Sequence, residues 1–600
     1  MLALLAALVF AAAQQSASAA APAEAAAAKK KQTALLPPGQ QPNFVVIQTD
    51  DQTIDQLYAT YTPPGGGPIP AMPNTLAAIA AKGMTFNRYY VSYPLCCPSR
   101  VSLLTGRYAH NHNVRGNVPP NGGATGFSFR QANSHNVATW LQGAGYRTIH
   151  VGKFLNGYGD EPYDNGLAVP PGWNAWHSVV KADTDHYFYG YTLNNNGVLE
   201  GPFGDPGSWD TREYGVRDDF GCPFAPLNGQ PCLYETDVLT RIANEEMLGT
   251  PTTQPFYLQL DYTAPHGDFR RPAGPEPATR HYDSFSGASH PHGSSEGFNE
   301  GNVNDKPLFI REAAYLSPSE SHTYRVYYQK GLESLRAIDD GVQQVIATLG
   351  AMGRLRNTYI LFTSDNGFFY GEHRLTGGKF LAYEPATHVP LLIRGPGIKQ
   401  GSATGELAGN VDLAPTILEL AKAKADKSID GRSLVPYLLD PSLRTRRPIL
   451  FESFVETSDV EAHGGQPLAG RAGTSRARRS DEAGASIVAP PKDYLGIRLG
   501  PYKYIEWPNG EKELYDINKD PFELNNKVRD SNLFPIRAFL QKELRRLAEC
   551  SGRSCQETTP KLPLTRKQQL EIQREKEKEQ REREKRQKER EEKQQQGSKK

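Results

Sequence analysis

Short apolar runs alternate with longer amphipathic stretches along this 600-residue chain, and the alternation sets out most of its elements. Asn43-Phe44-Val45-Val46-Ile47-Gln48 is a compact apolar run that predicts a strand, ending in Thr49-Asp50-Asp51. Similar runs predict strands at Met84 to Tyr90, Arg147 to Val151, Pro255 to Asp261, Thr358 to Thr363 and His388 to Arg394. Helical spacing predicts helices over Met72 to Lys82, Asn136 to Ala144, Glu235 to Leu248, Tyr324 to Met352 and Val411 to Ala421. Strands that alternate with helices imply an α/β fold: a large mixed, mostly parallel sheet between helices, filling a main domain over 42–440. In such folds functional groups gather beyond the C-terminal ends of strands, where Asp50, Asp51, Lys153, His266, Asp365 and Asn366 all fall.

Past Arg446 the pattern changes. Ile449 to Phe454, Tyr494 to Trp507 and Lys512 to Tyr515 read as antiparallel strands, closed by a helix near Phe534 to Glu549. This predicts a small C-terminal α+β subdomain over 441–558, broken by a polar, mobile insertion near 455–491. Residues 559–600 form a charged tail, nearly all Lys, Arg, Glu and Gln from Lys561 to Lys600 and without an apolar stripe, which predicts a solvated helix held by i,i+4 ion pairs or a disordered tail.

A net charge of +1 argues against a globally basic nucleic-acid binder. Met1 to Ala20 carries an apolar run and then Ser16-Ala17-Ser18-Ala19-Ala20, the form of a signal peptide, followed by an Ala/Lys/Pro-rich linker over 21–41. No later stretch is long and apolar enough to span a bilayer, so the expectation is a secreted, soluble protein, extracellular or periplasmic, without stable membrane insertion. Cysteine usage agrees: Cys222 with Cys232 and Cys550 with Cys555 are close couples, each able to close a short loop in an oxidising compartment.

The chemistry centres on Cys96-Cys97-Pro98-Ser99-Arg100, continued by Val101-Ser102-Leu103-Leu104-Thr105-Gly106-Arg107. Pro98 suits the first turn of a helix, Leu103 and Leu104 give it an apolar face, and Gly106 suits its end. Cys96 then stands at a helix N-terminus, where free N–H groups and the positive dipole end favour an oxyanion, with Arg100 one turn on as a permanent cation. The bland alternative is a pair of buried thiols or disulfide partners.

This stretch resembles the C-x-P-S-R-x-x-L-L-T-G-R signature of type I sulfatases. The resemblance implies an alkaline-phosphatase-like core and a sulfuric ester hydrolase in which a formylglycine-generating enzyme oxidises Cys96 to Cα-formylglycine. The hydrated aldehyde, a geminal diol, attacks sulfur with one oxygen, and the other drives sulfate release. The likeness runs from about Asn43 to Asn526, including Glu513-Leu514-Tyr515-Asp516 in the subdomain. It implies metal ligands at Asp50, Asp51, Asp365 and Asn366, with the group at Cys96 completing the shell. Three carboxylates and an amide oxygen suit Ca²⁺, or less comfortably Mg²⁺. Taken alone, Asp-Asp is a cap or turn and Asp-Asn-Gly a turn former.

The same resemblance assigns Lys153 (Gly152-Lys153-Phe154-Leu155-Asn156), Lys379 and Arg100 to clamping sulfate oxygens. It gives His266 (Ala264-Pro265-His266) to the leaving oxygen or its sulfate, and His373 (Gly371-Glu372-His373) to orienting substrate or diol. Many arylsulfatases carry G-K-W-H, and the position of that histidine is Leu155, so one expected base is missing. Leu155-Asn156 resembles instead the G-K-Y-L-N form of N-acetylglucosamine-6-sulfatases and heparan endosulfatases. His110 and His112 resemble that branch and are candidates for the lost base, or else satisfied structural histidines. The expected substrate is a sulfated carbohydrate, N-acetylglucosamine-6-sulfate or glycosaminoglycan-like. The rivals are a generic arylsulfatase acting on an aryl sulfate, a phosphate or phosphonate monoester hydrolase, and an inactive binder of sulfated polysaccharide.

Overall fold

A computed structural model of the protein describes residues 41–597 apart from 129, 161–167, 182–187, 204–232, 269–273, 290–295, 376, 425 and 455–492. The signal-peptide segment, almost all of the linker, the Cys222/Cys232 couple and the 455–491 insertion lie outside the described residues.

The strands of the main sheet are β1 (Asn43–Thr49), β2 (Met84–Phe86), β3 (Arg147–Gly152), β4 (Ala175–Val180), β5 (Tyr191–Asn195), β6 (Val198–Phe203), β7 (Phe256–Asp261), β8 (Thr358–Ser364), β9 (Leu391–Arg394) and β10 (Ser402–Thr404). They lie in the order β10-β2-β9-β8-β1-β7-β3-β4-β5-β6. The five central strands, β8 to β4, are parallel, and β9 and β5 run against their inner neighbours. The principal helices are α1 (Cys96–Thr105), α2 (Val137–Gly143), α3 (Glu235–Leu248), α4 (Pro318–Ala351), α5 (Leu413–Ala421), α6 (Phe534–Ala548) and α7 (Arg566–Gly597).

Alternate residues of β1 feed two cores. Phe44 and Val46 pack with Val101 and Leu103 of α1 and with α5, whereas Val45 and Ile47 pack with Leu239 of α3 and Leu335, Ile338 and Val342 of α4. A strand buried on both faces needs apolar residues at successive positions, which is why β1 reads as a continuous run. Four strands, β11 (Pro448–Phe454), β12 (Asp493–Leu499), β13 (Tyr502–Glu506) and β14 (Lys512–Asp516), form the separate antiparallel sheet, with α6 packed on it.

Several elements differ from the pattern reading. The run Met84 to Tyr90 is two strands, because Tyr89–Tyr90 leaves the main sheet to pair with Ala408–Gly409. The helix near Met72 turns into a π-helix over Leu76–Ala80. The long helix begins at Pro318, where Ser317 and Glu320 form a capping box that amphipathic spacing does not register. Tyr494 to Trp507 folds back on itself as β12 and β13. The charged tail is helical over α7 and meets the protein at its start, where Lys567 N–H donates to Asn532. The Cys550–Cys555 disulfide is formed. Among the described residues no helix is long and apolar enough to cross a membrane.

Candidate active site

β1 and β8 run side by side in register, Thr49 opposite Ser364, so the residues that follow each strand emerge together. Asp51 takes a left-handed backbone (φ 68°), tolerable for aspartate at a cost of about 1 kcal/mol or more. Its N–H donates to Asp365 Oδ1 (3.2 Å), stitching the two strand ends together. Two strands away, β3 ends in Gly152 (φ 111°), where any Cβ would collide with the Asp261 carbonyl. The close approach delivers Lys153, whose N–H donates to that carbonyl (2.8 Å) and whose Nζ reaches Asp50 Oδ2 (2.5 Å).

Cys96 is the first residue of α1, and Gly106 ends the helix in a left-handed conformation (φ 67°), as the spacing predicts. Cys96 Sγ lies 3.0 Å from Lys379 Nζ and 3.7 Å from Asp50 Oδ1. Cys97, by contrast, is buried in the core and accepts the Asn156 N–H (3.1 Å). One turn on, Arg100 donates through Nε to Asp365 Oδ2 (2.9 Å), through Nη2 to Asp50 Oδ2 (3.1 Å) and through Nη1 to the Lys153 carbonyl (2.9 Å). Lys379 Nζ also pairs with Asp51 Oδ1. His266 Nδ1–H donates to the Gly267 carbonyl (2.9 Å), which leaves Nε2 facing Asp51 Oδ2 at 3.7 Å.

Donor atoms of Asp50, Asp51, Cys96 and His266 all lie within 4.8 Å of one another, and every one of these residues is buried. Asn366 adds a buried Oδ1 with no hydrogen-bond partner, although its amide N–H donates to Asp51 Oδ1 and the Gly367 carbonyl. A bare acceptor beside crowded carboxylates fits a hard cation. Electrostatics agrees. Burial, and then the charge of Asp50, lifts Asp365 to about 7, and burial likewise raises Asp51. Burial acts on Asp50 in the same sense, but Lys153, His266 and Arg100 outweigh it and hold that carboxyl well below its usual range. Burial, reinforced by Asp50, pushes the Cys96 thiol up to about 12, so the unmodified thiol is a poor nucleophile here.

Nine of the twelve candidate side chains singled out in sequence thus meet at one end of the sheet. Asp365 stands one step back from the tightest grouping, turned toward Arg100 and the Asp51 N–H, while His266 joins it. His373 is held differently: Nδ1 pairs with Glu300 Oε2 (2.7 Å), and the ring lies against Tyr383. His110 and His112 are not bases of this site. His112 accepts the Val114 N–H at Nδ1 and meets Ser102 Oγ at Nε2 (3.0 Å), and His110 is fixed between Glu452 and the Cys550 carbonyl. The fold adds side chains that sequence did not single out. Asp261, at the end of β7, lies 4.0 Å from Arg100 Nη1 and 3.2 Å from His150 Nε2, and Gln259 Nε2 donates to it (2.7 Å). Its strand-end position was the one available signal.

Comparison with known proteins agrees with this geometry. The sulfatase family model matches residues 42–423. An arylsulfatase of Volvox carteri is 32% identical over 547 residues, 86% of this chain and 76% of its own length. The N-acetylglucosamine-6-sulfatase of Homo sapiens is 30% identical over 537 residues, 86% of each chain. A solved structure of a protein in complex with its substrate D-glucosamine-2-N,6-O-disulfate superposes with a TM-score of 0.60 at 23% identity, covering 85% of this chain and 97% of that one. Its likeness is one of fold. The chain belongs to the sulfatase family and is a sulfuric ester hydrolase.

Proposed function

We propose that this enzyme removes sulfate from a sulfated carbohydrate, N-acetylglucosamine-6-sulfate or a glycosaminoglycan-like chain, after Cys96 has been converted to formylglycine by a separate maturation enzyme. The observation that carries the reading is the placement of Cys96, at a helix N-terminus, against the Asp50 and Asp51 carboxylates and the ammonium of Lys379. Relatives named as N-acetylglucosamine-6-sulfatases support the sugar, and the Leu155-Asn156 pair points the same way.

Ca²⁺ is the ion that the donors suit best. Asp50, Asp51, Asp365 and Asn366 would hold it through hard oxygens, and when bound it supplies positive charge next to the reacting sulfate. Residue 96, as the hydrated aldehyde that the family implies, supplies one hydroxyl to attack sulfur and a second to release sulfate. Arg100, pinned by two carboxylates and a carbonyl, keeps its guanidinium fixed beside residue 96. Lys153 and Lys379 stay charged, because neighbouring carboxylates outweigh their burial, and they offset charge on the non-bridging sulfate oxygens. His266, anchored through Nδ1, presents Nε2 to the leaving side and gives a proton there only from its doubly protonated form. The Cys550–Cys555 disulfide and the apolar leader support a secreted protein.

An aryl sulfate substrate is the second reading, favoured by the Volvox arylsulfatase relative. Intact-mass analysis of the peptide carrying Cys96 tests the nucleophile, and an unoxidised thiol in active protein would overturn it. Turnover of N-acetylglucosamine-6-sulfate against an aryl sulfate and a phosphate monoester tests the substrate. Preference for the phosphate ester would reassign the enzyme within the fold.

A further inference from the structure

The hydroxyl of Tyr327 is packed against Gly267, the residue after His266: a Cβ on residue 267 would collide with Tyr327 Oη, and a Cβ on Gly274 would press on the ring. Two glycines therefore make room for this side chain. The ring is wedged in place, stacked on Phe368 (centroids 5.2 Å, 11° between planes) and edge-on to Tyr370 (5.9 Å). The residue is only 5% exposed. Even so, its hydroxyl is not sealed away as those of Tyr89, Tyr146 and Tyr494 are, and it makes no hydrogen bond among the described residues. Its hydroxyl thus stands beside the residue that follows His266, a member of the buried cluster.

A rigid ring that holds an unspent donor beside the loop carrying His266 is a feature that packing alone does not call for, since phenylalanine would fill the same space. Gly267, against which the hydroxyl rests, follows the histidine assigned to the leaving oxygen. From this arrangement we propose that Tyr327 is a further catalytic residue, whose hydroxyl donates a hydrogen bond to the oxygen that departs from sulfur. The inference rests on the sulfatase reading and on the leaving-side assignment of His266. Anchored through Nδ1, His266 donates at Nε2 only in its doubly protonated form, and Tyr327 supplies a donor on that side that does not depend on the charge of the histidine. Burial drives the phenol far above its usual range, so Tyr327 keeps its proton; its hydrogen bond stabilises charge on the leaving oxygen while the S–O bond breaks, and the proton that completes the alcohol comes from His266 in its doubly protonated form.

The test is Tyr327→Phe, which removes one unbonded oxygen and keeps the ring. For a sugar 6-sulfate, kcat/KM should fall about tenfold, the worth of one neutral hydrogen bond. For 4-nitrophenyl sulfate, whose leaving-group charge spreads from the oxygen into the nitrophenyl ring, it should change less than twofold. Melting temperature and competitive inhibition by inorganic sulfate should both match the wild type. Unchanged kcat/KM on both substrates, or an equal loss on both, would overturn the proposal, and so would weakened inhibition by sulfate, which would move the hydroxyl to the sulfate itself. Absence of sulfate release from the formylglycine-bearing wild type would instead defeat the underlying reading.

Discussion

His110 should make folding stability depend on pH between about 6.5 and 8. Its Nδ1 meets Glu452 Oε2 at 2.7 Å and its Nε2 meets the Cys550 carbonyl at 2.9 Å. A carboxylate and a carbonyl both accept, so both ring nitrogens carry protons and the folded state holds an imidazolium. Burial opposes that charge, but the bond to Glu452, its negative charge and the Cys550 carbonyl outweigh burial and raise the group from 6.5 to about 8. The shift of roughly 1.5 units corresponds to about 2 kcal/mol, present in full below pH 6.5 and lost as the pH rises through 8. The contact joins the segment after α1 to β11 and to the chain beyond α6, so the loss falls on the seam between the two sheets. Urea unfolding of wild type and His110→Gln at pH 6 and pH 9 isolates it, because Gln keeps a donor for Glu452 without titrating. The wild type should lose about 2 kcal/mol more than the variant over that interval. Parallel pH dependences for the two proteins would refute the pairing.

Three further outcomes are expected. Cys96→Ala should abolish sulfate release, whereas Cys97→Ala, at a core position, should keep most turnover and cost about 1 kcal/mol of stability; equal loss in both would mean that position 96 is not special. Cys96→Ser should stall after one turnover with sulfate retained on residue 96, because a serine ester has no second hydroxyl to expel it; mass spectrometry after substrate exposure reads this, and repeated turnover at the native rate would remove the diol from the mechanism. Chelation should abolish turnover, and so should Asp365→Asn, with little cost to folding, since the amide keeps the shape and an acceptor oxygen for Arg100 or the Asp51 N–H while the charged ligand is lost. Metal-free activity, or a large drop in the melting temperature of the variant, would contradict the ligand assignment.

Much of this protein was decided locally and is therefore legible in the chain. Runs apolar at successive positions, such as Phe44 to Ile47, can satisfy only a strand covered on both faces, and the start and end of α1 follow from Pro98 and Gly106. The motif residues carried over from the family resemblance converge because the strand ends lie side by side, Thr49 against Ser364 and Gly152 against Asp261. What sequence leaves open depends on partners distant along the chain. The neighbour of His110 is Glu452, 342 residues on, and that contact makes a structural charge pair of a histidine that the family resemblance offered as a base. The break at Tyr89 depends on Ala408, and the step that sets Asp365 behind His266 depends on where Arg100 points. Tyr327 is the clearest case: within α4 it is one aromatic residue of a buried face, and only the packing of the helix against the loop after β7 brings its hydroxyl against Gly267, beside His266. Spacing along the chain fixes which residues share an element and a face; which groups meet across elements is settled by tertiary packing, where burial and charge are shared among residues hundreds of positions apart.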